Sequence, residues 1–153
     1  MAGFSKKTGN LKLYFDSAYI AKCYLTEPDG PKVRELARSA SFLYSSAICV
    51  AEIACVFHRQ VREDSLDANA ASVHRKHFRS DLKNEVWQLI PVTDHVLERV
   101  EALVQNLPTG SFIRAGDAIH LASAIESGFG EIWTNDRHLL AAANHAGLRG
   151  RSV

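Results

Sequence analysis

The chain has 153 residues, 46% hydrophobic and 23% charged, with a formal net charge of +1. That length suits one domain burying roughly two-thirds of the surface its unfolded form would expose. The balance excludes a disordered polymer and a uniformly basic nucleic-acid binder, while a local basic groove stays compatible with it.

Residues 1–10, MAGFSKKTGN, read as a frayed polar tail. The apolar stretch after Lys6 and Lys7 is short and broken by Lys12, so neither a signal peptide nor a spanning helix is expected, and the default location is the cytoplasm with no membrane partner. LKLYF, residues 11–15, becomes wholly apolar before Asp16 and Ser17, which suits a central strand covered on both faces. Ile20, Cys23 and Tyr24 then recur at helical spacing until Pro28-Asp29-Gly30-Pro31 stops the pattern, and a second helix is expected from Lys32 to about Ser39. Phe42–Tyr44 suits a short strand, Ser45 or Ser46 an N-cap, and the run to Phe57 a buried helix.

From His58 to Asn84 the composition turns polar, with Ser65-Leu66-Asp67 as a break between two helices and Ala68, Ala71, Val73 and Phe78 at weak helical spacing. Val86–Val92 reads as a strand, and Thr93-Asp94 caps a helix whose apolar side carries Val96, Val100, Leu103 and Val104. The next helix, opened by Asp117, places Ala118, Leu121, Ala122 and Ile125 on one face; Ser127-Gly128 stops it, and Ile132-Trp133 form a strand ending in Thr134, Asn135 and Asp136. A last helix starts at Arg137 and ends at Gly147, and LRGRSV forms an edge strand or a loose tail. Strands alternate with helices throughout, so the expected class is α/β with a mostly parallel sheet of four or five strands.

Four carboxylates stand out by position. Asp16 and Asp136 follow strands, where ligands of open α/β sheets collect; Asp117 opens a helix; and Glu52 is the only ionisable group from Ala47 to Phe57 apart from two thiols. Each has a plain structural explanation: a turn residue for Asp16 and helix caps for Asp117 and Asp136. Glu52 has none, because burying an unpaired carboxylate costs several kcal/mol. If the sheet gathers all four, their mutual repulsion calls for a cation, and an all-oxygen donor set suits Mg²⁺ or Mn²⁺. Ser17, Thr134 and Asn135 stand near enough in sequence to orient waters or carboxylates. Arg59, Arg62, Arg75, Lys76 and Arg79 form either a solvated face or a phosphate-contacting surface.

The segments YFDSAYIAKCYLTEP, ICVAEIACVF, IRAGDAIHLASAI and IWTNDRHLLAAA closely resemble PIN-domain ribonucleases, in particular the VapC-type toxins of bacterial toxin-antitoxin pairs. The resemblance spans about residues 11–148 and implies a PIN-like fold. It implies that Asp16, Glu52, Asp117 and Asp136 bind one or two Mg²⁺ or Mn²⁺ ions and hydrolyse RNA, with Ser17 and Thr134 as supporting hydroxyls. A cognate antitoxin and a homodimer are implied as partners. The alternative within this fold is a catalytically silent RNA-binding or assembly module. A phosphoacceptor receiver domain is a third α/β reading; Asp16 has no neighbouring acidic partner and no strand-end lysine comes late in the chain, which count against it.

Other residues carry less. His120 lies one turn after Asp117 and faces either the ion or, as histidines more often do, the packing or solvent. His74 and His77, one turn apart, lack a third zinc ligand. Cys23, Cys49 and Cys55 form no CxxC pair, suggest no disulfide framework, and read as reduced core thiols.

Overall fold

A computed structural model describes residues 9–153, so most of the expected tail, residues 1–8, lies outside the described residues. Among the described residues five strands are interleaved with seven helices: β1 (Lys12–Tyr14), α1 (Ser17–Tyr24), α2 (Gly30–Ser39), β2 (Phe42–Ser46), α3 (Cys49–Arg62), α4 (Ala68–Lys83), β3 (Trp87–Ile90), α5 (Asp94–Asn106), α6 (Ala115–Glu126), β4 (Glu131–Trp133), α7 (Arg137–His145) and β5 (Arg149–Arg151). β1, β2 and β3 pair in parallel, as do β4 and β5. A parallel bridge between Phe15 and Trp133 joins the two groups, reinforced by the Asp16 amide donating to Trp133 O at 3.2 Å. The strand order is therefore β3-β2-β1-β4-β5, reversing direction between β1 and β4. Crevices for ligands form at such reversals, outside the carboxyl ends of the strands.

Period-two alternation sorts the sheet's side chains into two cores. Leu13, Phe15, Leu43 and Trp133 point to one face and pack with Ile20, Val33, Ile53 and Phe57 from α1, α2 and α3. Tyr14 and Ile132 point to the other, against Leu121 and Ala124 of α6 and Leu139 and Ala143 of α7. Three layers result, helix on sheet on helix, as the wholly apolar end of the first strand anticipated. Among the described residues no helix is long and apolar enough to cross a membrane.

Several local expectations need correction. Ser45 and Ser46 do not cap α3; they extend β2 by pairing with Leu89 and Ile90, and α3 starts after Ile48 without a side-chain cap. Parallel pairing here overrides the capping preference of serine. α3 is not buried all round: Cys49, Ile53 and Phe57 face the core while Ala51, Ala54 and Cys55 face solvent, so Cys55 is a free surface thiol and only Cys23 and Cys49 are core thiols. Val73 and Val104 likewise lie exposed on α4 and α5.

Candidate active site

Parallel connectivity starts α1, α3 and α7 just beyond the carboxyl ends of β1, β2 and β4, where Asp16, Glu52 and Asp136 sit, while Asp117 lies at the N-terminus of α6, which follows α5. Asp16 caps α1, its Oδ1 accepting from the Tyr19 amide at 2.8 Å. Glu52 lies in the first turn of α3. Asp117 occupies the first turn of α6, its Oδ2 accepting from the Arg114 amide at 3.4 Å, and Asp136 caps α7, its Oδ1 accepting from the His138 and Leu139 amides at 2.7 and 3.1 Å. Each acid thus lies at the positive dipole end of its own helix, which stabilises its negative charge.

Burial and neighbouring charge show in their pKa values. Burial pushes the Asp16 carboxyl up to about 6, with the Asp117 charge adding to the rise and Thr134, His120 and the Tyr19 amide opposing it. Asp117 is also raised, first by burial and then by the Asp136 and Glu52 charges. Asp117 therefore lies within electrostatic reach of Asp16, Glu52 and Asp136. Glu52 behaves differently: burial raises its pKa, but hydrogen bonds from His120 and Ser17 outweigh this and leave it lowered.

His120 explains that difference. It is fully buried, with Nε2 2.9 Å from Glu52 Oε2 and 3.0 Å from Ser17 Oγ, while Nδ1 lies 3.1 Å from the Tyr14 hydroxyl. Ser17 Oγ also donates to Glu52 Oε2. Burial raises the Tyr14 pKa, so its hydroxyl stays protonated and can donate to Nδ1, leaving the Nε2 proton for Glu52. The other oxygen of Glu52 leans on the α6 backbone, where a Cβ at Gly116 would meet Oε1 at 2.2 Å. Only glycine admits the carboxylate there.

The supporting residues divide. Ser17 is buried beside Glu52 as described. Thr134, also buried, links two acids: its Oγ1 accepts from the Asp136 amide at 2.9 Å and its hydroxyl bonds the Asp16 carboxylate. Asn135 turns away, accepting from the Tyr19 hydroxyl at 2.9 Å and donating to Asp29. The basic residues lie on the α3–α4 arm, Arg59 and Arg62 roughly 10 and 15 Å beyond Glu52 along the helix axis. Arg75 and Arg79 edge an apolar groove lined by Val50, Ile53, Phe57 and Phe78.

Among the described residues no three His, Cys, Asp or Glu side chains form a ready-made metal site. The donor chemistry nonetheless fits a hard divalent ion: Asp16 and Asp117 are carboxylates held near other negative charge with their pKa values raised, and Asp136 keeps its Oδ2 outside the cap bonds. Sequence reasoning underweighted His120 and missed Tyr14 and Gly116. The spacing of His120 from Asp117 was the only signal for it.

A family model for the PIN domain matches residues 13–145. No curated protein matches the sequence. Among solved structures, FitAcB from Neisseria gonorrhoeae is 18% identical with a TM-score of 0.68, covering 90% of this chain and 95% of that one. VapC20 from Mycobacterium tuberculosis, described as a toxin cleaving the sarcin-ricin loop, is 15% identical with a TM-score of 0.64, covering 85% and 94%. VapBC2 from Rickettsia felis, bound to a DNA fragment from its promoter, is 15% identical with a TM-score of 0.66, covering 94% and 99%. At these identities the likeness is one of fold.

Proposed function

We infer function from one premise: the chain belongs to the PIN-domain family. On that premise the protein is a metal-dependent endoribonuclease and the toxin of a type II toxin-antitoxin pair, acting on RNA in the cytoplasm. What supports the reading is the placement of Asp16, Glu52, Asp117 and Asp136 at four helix N-termini, three of them just beyond parallel strands, with burial first and neighbouring negative charge second raising the pKa of Asp16 and Asp117. Structural repulsion of this kind is unfavourable without a counterion, and a cleft that retains it is suited to one.

Asp16, Asp117 and Asp136, with Glu52, would hold Mg²⁺ or Mn²⁺, which when bound lowers the pKa of a water and neutralises charge developing on a phosphodiester. The chain's own groups do the remaining work. Thr134 fixes Asp16 relative to Asp136 through its hydroxyl. Ser17 and His120 lock the Glu52 carboxylate as an anion, so it stays an acceptor at neutral pH. The helix N-termini place a positive dipole end beside each of the four acids. Arg59, Arg62, Arg75, Lys76 and Arg79 supply phosphate contacts along the α3–α4 arm. An antitoxin is the protein partner, and the toxin assembles as a homodimer.

The test is cleavage of total RNA in Mg²⁺ by wild type and by Asp16→Asn and Asp117→Asn proteins of unchanged circular dichroism. Loss of cleavage in both variants supports the reading; cleavage equal to wild type overturns it. One observation favours the silent-module alternative: no ready-made ion site stands among the described residues, with Glu52 already bonded to Ser17 and His120. A calorimetric titration that finds no binding at millimolar Mg²⁺ would favour that alternative.

A further inference from the structure

Phe112, in the loop between α5 and α6, is the most exposed large hydrophobic residue among those described, at 52%. Its ring is nevertheless held in a fixed setting. The His138 ring packs against it at 4.8 Å between centroids, tilted by 56°, and the Arg114 guanidinium lies over it at 5.5 Å from the centroid. Arg137 adds a second exposed cation beside His138, its Nε 3.4 Å from His138 Nε2.

The location of this cluster gives it meaning. Arg114 is the N-cap of α6, whose first turn carries Asp117, and His138 lies in the first turn of α7, which Asp136 caps. Phe112 and His138 therefore bridge the two helix ends that present two of the acids. An exposed ring backed by cations is the surface on which unpaired nucleobases stack, since every base offers a π-face and the arginines meet the flanking phosphates. The cations also offset the acidic crevice's repulsion of the phosphate backbone at that rim.

We propose that Phe112, held by His138 and Arg114, is a stacking platform for an unpaired base of the RNA substrate next to the acidic crevice. The proposal rests on the ribonuclease reading for the nature of the ligand. It assigns to this rim the selection of single-stranded over paired RNA, because a base in a duplex cannot reach the ring.

The experiment measures binding by full-length wild-type, Phe112→Ala and Phe112→Trp proteins in EDTA, by fluorescence anisotropy. The probes are a single-stranded RNA 12-mer, the same 12-mer with abasic positions, and its duplex. Stacking is worth roughly a 5- to 100-fold change in affinity per base. The expected result is that Phe112→Ala weakens binding of the base-bearing single strand by about tenfold with the salt dependence unchanged, while Phe112→Trp preserves it. The abasic strand should bind wild type and Phe112→Ala alike. Equal affinity of wild type and Phe112→Ala for the base-bearing strand overturns the platform and gives the ring to a protein partner. An equal loss for the abasic strand overturns it too, since the effect would not be stacking. If wild type neither binds these RNAs in EDTA nor cleaves them when Mg²⁺ replaces the EDTA, the ribonuclease reading falls and the platform with it; if wild type cleaves in Mg²⁺ and Phe112 makes no difference to binding, only the platform falls.

Discussion

The two sides of the acidic crevice are built on opposite principles. On one side Glu52 is answered: Ser17 and His120 bond it, Tyr14 backs His120, Gly116 leaves room for its second oxygen, and its pKa ends below the usual carboxylate value. On the other, Asp16 and Asp117 hold helix-cap bonds but sit, buried and half-buried respectively, near other negative charge, and their pKa values are raised. A carboxylate bonded as Glu52 is stabilises and orients the fold, whereas an under-answered pair stores electrostatic free energy that a bound cation releases. The contrast separates positioning from binding within one pocket.

Mutations should reveal this division most clearly in activity. Replacing Asp16 or Asp117 by Asn should lower the RNA cleavage rate by about three orders of magnitude, the scale of losing several kcal/mol of transition-state stabilisation. Removing His120, by contrast, should act mainly on stability. His120→Ala opens a cavity and leaves Tyr14, Ser17 and Glu52 short of a partner, a cost of about 2–4 kcal/mol in urea unfolding at pH 7.5 in EDTA. A His120→Ala protein as stable as wild type would remove the distinction between the two sides.

Gly116→Ala should cost less, about 1–2 kcal/mol, because Glu52 must swing away from a Cβ and give up a hydrogen bond. In a Glu52→Ala background the same change should cost almost nothing, and a double-mutant cycle measures the coupling directly. An effect of similar size has the opposite sign. Asp16 titrates near 6 in the folded protein against 3.8 when unfolded, so its contribution to stability is full below about pH 4, falls as pH rises through 6, and stays low above. Asn caps a helix as well as Asp does, so Asp16→Asn should raise stability in EDTA by about 1–2 kcal/mol at pH 8 and leave it unchanged at pH 4. A melting temperature lower than wild type at pH 8 would show that Asp16 is not under electrostatic strain.

Much of this layout is legible in the chain. Short apolar runs ending at Phe15 and Trp133, each followed by helical spacing, give the βα units, and carboxylates isolated in apolar surroundings mark the crevice because an unbonded charge there needs a reason. Other features depend on contacts between distant segments. Glu52 and His120 are hydrogen-bonded across the fold, and neither sequence neighbourhood names the other. The glycine at position 116 looks like a helix-start residue until Glu52 is seen against it. Cys55 was misread because an alanine-rich helix shows no clear polar face, so periodicity alone cannot say which side meets solvent. Ser45 and Ser46 resemble caps locally, and only their pairing with β3 makes them strand.

The most direct measurement is a calorimetric titration of Mn²⁺ into the protein at pH 7.5, for wild type and for a variant carrying both Asp16→Asn and Asp117→Asn. Wild type should bind the ion at millimolar concentration or below and unfold at a higher temperature in its presence, and the double variant should do neither. Equal binding by both proteins, or no binding by wild type, would contradict an acidic crevice organised around a divalent cation.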